Sequence, residues 1–165
     1  MAMPYGLKPE QFDRTTMKGS VTVRPLTAAD RAEWQRLWAL YIEFYRTSKP
    51  QSLYDLNWAR LFDPDEPMFG YLADVDGKPR GLVHIIMHRS FWLEGPSCYL
   101  QDLYADAELR GTGIGRALIE HVYEVVRGIG GERVHWLTED TNLTGQRLYD
   151  RIAKKSGFIQ YVEAL

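Results

Sequence analysis

Gly111, Gly113 and Gly115 stand at alternate positions where the hydrophobic pattern of the chain changes period, and this junction constrains the fold more than any other feature. Ser97–Tyr104, before it, reads as a strand. After it, Ile114, Ala117, Leu118, His121, Val122 and Val125 fall on one helical stripe. Without Cβ atoms the loop backbone is free to converge its N–H groups on a ligand. The helix that follows adds unsatisfied donors and the positive end of its dipole. Arg110 and Arg116 bracket the glycines with guanidinium groups suited to phosphate oxygens. The junction predicts a pyrophosphate site, whereas a plain tight turn leaves the two arginines and the strand–loop–helix setting without a role.

Two common pyrophosphate folds fit poorly. A dinucleotide-binding loop needs Gly-x-Gly-x-x-Gly near the start of a βαβ unit, and here the last position is Arg116. A P-loop needs Gly-Lys-Ser/Thr after four spacers, which the chain lacks. The loop also follows several antiparallel strands, which neither fold expects.

Upstream, Val21–Arg24 reads as a short strand stopped by Pro25, and Thr27 with Asp30 resembles a capping box. Trp34, Leu37, Trp38, Tyr41 and Tyr45 then predict an amphipathic helix, and 53–61 a second one. Strands follow at 68–75 and 79–89, joined by the hairpin signal Asp76-Gly77. Beyond the glycine loop come a helix ended by Gly128, Gly130 and Gly131, a buried strand at 134–138, a helix over 142–155, and a last strand at 158–162. The expected architecture is α/β: a mixed, mostly antiparallel central sheet with helices on both faces and one parallel crossover. Residues 1–20 are expected as a loosely ordered N-terminal arm and 21–165 as the folded domain.

A chain of 165 residues, 45% hydrophobic and 25% charged, suits one globular domain. A net charge of −2 provides no global basic field for nucleic acid or an anionic membrane. No apolar run reaches the roughly 20 residues of a membrane span, and the start lacks a signal-peptide core. Cys98 is the only cysteine, so no intrachain disulfide or cysteine-based zinc cluster is expected, and a reducing, cytoplasmic location follows.

Arg110-x-x-Gly113-x-Gly115 resembles the Gln/Arg-x-x-Gly-x-Gly/Ala signature of the GNAT N-acetyltransferases. Tyr99–Tyr104 resembles the central strand of that family, and Asn142 through Leu148-Tyr149 to Gly157-Phe158 its later Asn…Leu-Tyr…Gly-Phe block. The similarity runs from about Val21 to the C-terminus and is closest in flavour to the histone/polyamine acetyltransferase subgroup. It implies the GNAT fold and transfer of acetyl from acetyl-CoA to a primary amine, on a small molecule or a protein lysine. It implies that Leu103, Tyr104 and Ala105 offer backbone groups to the pantetheine arm, and that Arg110, Gly111, Thr112, Gly113, Gly115 and Arg116 hold the pyrophosphate. Asn142 is implied to bond the pantetheine, and Tyr149 to face the CoA sulfur. The family usually adds one more strand near the C-terminus, which makes a homodimer the expected assembly.

Acyl transfer to an amine requires removal of an ammonium proton, stabilisation of an oxyanion and departure of a thiolate. Tyr149 is the expected proton donor to sulfur, its other reading being a core tyrosine. Polyamine acetyltransferases have Leu-Glu-Asp where this chain has Leu100-Gln101-Asp102, and Gln101 accepts no proton at neutral pH. The base is therefore expected at Asp102, with Glu139 as a second candidate. His84 and His88 share a strand face and read as structural histidines, with a metal disfavoured because no third ligand stands out. His121 reads as a core histidine and Cys98 as a buried, inert thiol. Two rival functions remain: an inactive acyl-CoA-binding regulatory module, and a binder of some other nucleotide.

Overall fold

The computed structural model describes residues 6–165. A six-stranded sheet holds β1 (Thr16–Lys18), β2 (Val21–Pro25), β3 (Met68–Val75), β4 (Lys78–His88), β5 (Ser97–Ala105) and β6 (Arg133–His135) in sequence order. Neighbours through β5 are antiparallel. β6 runs parallel to β5 because the chain between them crosses over through α3 (Ile114–Gly128). The helices α1 (Arg31–Phe44) and α2 (Gln51–Leu61) cover one face, and α3 with α4 (Leu143–Ile152) the other. This is the expected mixed, mostly antiparallel α/β architecture.

Each face has its own core, as alternation along the strands requires. Tyr71, Val83, Ile85 and Leu100 pack under Ile114, Leu118, Val122 and Val125 of α3. Leu72, Leu82 and Tyr104 pack under Trp34, Leu37, Trp38 and Tyr54. Gly81 lets α3 approach β4, since a Cβ there would sit 2.6 Å from Cγ2 of Ile114. The Asp76-Gly77 hairpin forms as its sequence predicts, with both residues at positive φ between the paired Val75 and Lys78. Asp30 accepts from the amide and hydroxyl of Thr27 and takes both terminal nitrogens of Arg24 at 2.9 Å. The Arg24 guanidinium beside it holds the Asp30 carboxyl down at about 2.

Residues 1–5 of the segment 1–20 lie outside the described residues; among the rest Phe12 and Thr16 are buried and most others are exposed. Phe12 is only 2% exposed and stacks on Phe69, and β1 pairs with β2. One buried aromatic ring ties the segment down, a tie that polar local composition conceals. Two strand expectations are corrected: β6 spans three residues, with Arg133 exposed and Val134 and His135 half-buried, rather than a buried run over 134–138. The other is that Phe158–Val162 forms no strand. Phe158, Ile159, Tyr161 and Val162 lie exposed, because strand propensity needs a paired neighbour and the single chain presents none there. No described helix is long and apolar enough to cross a membrane.

Candidate active site

The parallel pairing of β6 with β5 stops at Tyr99, so the remainder of β5, through Ala105, has no partner along that edge. The strands part here, and a cleft of about 980 Å³ opens between β5, the glycine loop, α4 and the C-terminal end of α1. Leu103, Tyr104 and Ala105 line it from the strand side. A smaller cavity of about 390 Å³, beside Phe12 and Leu61, contains none of the glycine loop.

Gly111 and Gly113 adopt φ of 84° and 96°, a left-handed backbone that other residues enter at a cost. Gly113 is the N-cap of α3, and its carbonyl accepts from Ala117 N–H at 2.9 Å. Among the described residues, the amides of Gly113, Ile114, Gly115 and Arg116 have no hydrogen-bond acceptor. Four consecutive donors at a helix N-terminus make an anion cradle. Thr112 turns its hydroxyl back to the Leu109 carbonyl at 2.6 Å, which leaves its role as loop bracing. Arg110 lies over the Phe44 ring at 5.5 Å, and Arg116 pairs through Nε with Glu120 at 2.7 Å. Both line the cleft.

Arg147 and Arg151 line the same cleft, and the sequence reading missed them. Their four-residue spacing places them on one side of a helix, which was a usable signal. Asn142 is the N-cap of α4: its Oδ1 accepts Gly145 N–H at 3.1 Å, and Nδ2 donates to Thr138 Oγ1 at 3.0 Å. The second Nδ2 hydrogen and the second lone pair of Oδ1 are left for a ligand. Gly145 is required beneath it, since a Cβ there would meet Nδ2 at 2.6 Å.

Tyr149 rises from α4 into the cleft with its ring edge-on to Trp136, 5.4 Å between centroids. Burial pushes its phenol above the ordinary value, so the proton stays on oxygen at neutral pH. Tyr41 and Tyr45, whose rings lie 5.1 Å apart, face it from α1, and Glu139 completes that end. Asp102 does not line this cleft; 7% exposed, it borders a separate small cavity with Trp38 and His84, at a bulge where Gln101 drops out of the β4–β5 ladder. Its Oδ2 accepts His84 Nδ1–H at 2.8 Å and Trp38 Nε1–H at 3.2 Å. His84 Nε2 in turn accepts Trp34 Nε1–H at 2.8 Å. The Tyr41 hydroxyl donates weakly to the Gln101 carbonyl at 3.4 Å and is held against the Asp102 carboxylate.

His88 does not share the fate of His84. Its Nε2 meets His135 Nε2 at 3.0 Å, and no described group of three or more metal-binding side chains accompanies the pair. Cys98 is buried, its thiol pushed up to about 12 by burial.

Residues 34–153 match the model of the Acetyltransferase (GNAT) family. The chain belongs to that family. As a GNAT protein it is an acetyl-CoA-dependent acyltransferase. It is 32% identical over 143 residues to the D-amino-acid N-acetyltransferase HPA3 of Saccharomyces cerevisiae, across 86% of this chain and 89% of that one. It is 27% identical to a thialysine N-epsilon-acetyltransferase of Caenorhabditis elegans, across 53% and 54% of the two chains. Among solved structures, AAC(6')-Iy in complex with a CoA bisubstrate analog has the same fold, with a TM-score of 0.76 at 14% identity over 88% of this chain and 99% of that one. The free amides and arginines of the cleft suit a diphosphate.

Proposed function

We propose that the chain transfers acetyl from acetyl-CoA directly to the primary amine of a small molecule. The observation that supports this best is the continuity of one cleft, with free amides and arginines at one end and Tyr149, Tyr41, Tyr45 and Glu139 at the other. The relatives named above act on amino acids, which favours a small acceptor over a protein lysine. Gln101 departs from the Leu-Glu-Asp of polyamine acetyltransferases, which weighs against that subgroup's acceptors.

In this reading Arg110, Arg116 and the amides from Gly113 to Arg116 hold the diphosphate, with Gly111 and Thr112 shaping the loop. Leu103, Tyr104 and Ala105 offer free edge groups to the pantetheine, and Asn142 its remaining N–H. Acetyl-CoA supplies an activated thioester carbonyl when bound. Backbone N–H groups of the open β5 edge stabilise the charge that develops on the carbonyl oxygen, help commonly worth about 3 kcal/mol. The amine nitrogen bonds the carbonyl carbon as the carbon–sulfur bond breaks. Tyr149 gives its proton to sulfur, and the proton lost by the amine passes by way of the Tyr41 hydroxyl to Asp102.

The reading also includes a cytoplasmic homodimer. Its support is the exposed apolar run Phe158–Val162, which has the length of a strand and no partner within the described chain. The test of function is an acceptor panel with acetyl-CoA, read as amine-dependent release of free CoA thiol. Binding of CoA without release by any amine would make the chain a regulatory module instead.

A further inference from the structure

Helix α1 ends in a Schellman motif. The Arg46 amide donates to Glu43 O at 2.8 Å and the Thr47 amide to Ile42 O at 3.4 Å. The residue between these two turns must be left-handed, and glycine is the usual occupant. Here it is Arg46, at φ 56°. A bulky side chain held in this conformation is a sign of function when the side chain has somewhere to go. Arg46 lines the cleft, and among the described residues its guanidinium has no hydrogen-bond or ion-pair partner.

Its surroundings indicate what it reads. Glu139 lines the cleft as Arg46 does, so the cleft carries a carboxylate as well as the unpaired guanidinium that lies just past the end of α1. Arg110, Arg116 and the amide cradle already serve the diphosphate from other elements. A positive pole next to a negative pole matches a zwitterion. Resting on the acetyl-transfer reading, we infer that Arg46 binds a carboxylate of the acceptor, so that the enzyme selects amino acids over amines that lack that group. A guanidinium suits this because it meets a carboxylate with two parallel N–H groups.

The test compares free amino acids with their carboxamides as acceptors, for example alanine with alaninamide and lysine with lysinamide. For each pair the ratio of kcat/KM is taken in wild type and in Arg46→Gly and Arg46→Lys. Comparing ratios cancels the different basicity of the amide's amine. We expect the preference for the free acid to fall at least tenfold in Arg46→Gly and less in Arg46→Lys. The Kd of CoA should be unchanged. Arg46→Gly should also melt about 2–4 °C higher, since glycine relieves the left-handed position. An unchanged ratio, or a weaker CoA affinity in Arg46→Gly, overturns the assignment. A lower melting temperature with equal loss on both acceptors would show that Arg46 serves the fold. Wild-type turnover with an unchanged ratio removes only Arg46, whereas absence of CoA release with every amine removes the acetyl-transfer reading itself.

Discussion

His84 and Asp102 face each other across the bulged rung of β4 and β5, with Nδ1–H donating to Oδ2 at 2.8 Å. Because His84 Nε2 accepts from Trp34, the imidazole is the neutral Nδ1–H tautomer and has no lone pair left for a substrate. Trp34, His84, Trp38 and Asp102 thus form one buried network that fixes the orientation of the carboxylate.

Asp102→Asn keeps the shape of the side chain but removes the proton acceptor. If Asp102 takes the amine proton, the variant should lose about 10²-fold or more in kcat. Glu139→Gln should keep most of kcat. Retained kcat in Asp102→Asn together with a lower melting temperature would make Asp102 a structural residue only.

Tyr149→Phe removes a hydroxyl from a packed ring without leaving a cavity. Turnover should drop by about 10–100-fold, in the range expected of one proton donor. Calorimetry should find the affinity for acetyl-CoA within about twofold of wild type. Equal turnover in the two proteins would rule out the acid role.

Gly113→Ala places a Cβ at φ 96°, in a region that costs a side chain about 1–3 kcal/mol. The loop is expected to shift and its amides to lose convergence. KM for acetyl-CoA should rise about tenfold while kcat at saturation is retained. A large loss of kcat with unchanged KM would mean that the loop does not grip the coenzyme.

His121 is fully buried beside Thr16 and Tyr71, and burial pushes its imidazole down to about 4 from an ordinary 6.5. Between those values the unfolded chain holds a proton that the native chain refuses. Stability therefore rises with pH across this window and is flat above it. The full loss from pH 7 to pH 4 is about 3 kcal/mol from this group. Wild type should melt several degrees lower at pH 5 than at pH 7.5, and His121→Gln should show a smaller difference. Parallel curves for the two proteins would assign the acid sensitivity elsewhere.

Much of the site was legible before any folding. The period change at Gly113, the alternate glycines and the two arginines are local facts. A helix N-terminus exposes its amides whatever packs around it, so the cradle could be read from Arg110 to Arg116 alone. The same holds for the Asp76-Gly77 hairpin and the α3 stripe, because turn geometry and helical period depend on near neighbours.

What only the tertiary structure decided are the partnerships between distant residues. Phe12 belongs to the core because Phe69 lies under it, and Phe158–Val162 is not a strand because no edge meets it. Arg147, Arg151 and Arg46 came to line one cleft when α4 and the end of α1 closed on it. The carboxylate of Asp102 acquired its donors from Trp38 and His84, 64 and 18 positions away. Sequence patterns report which groups a segment can offer, and burial and pairing depend on which segments the whole chain brings against it.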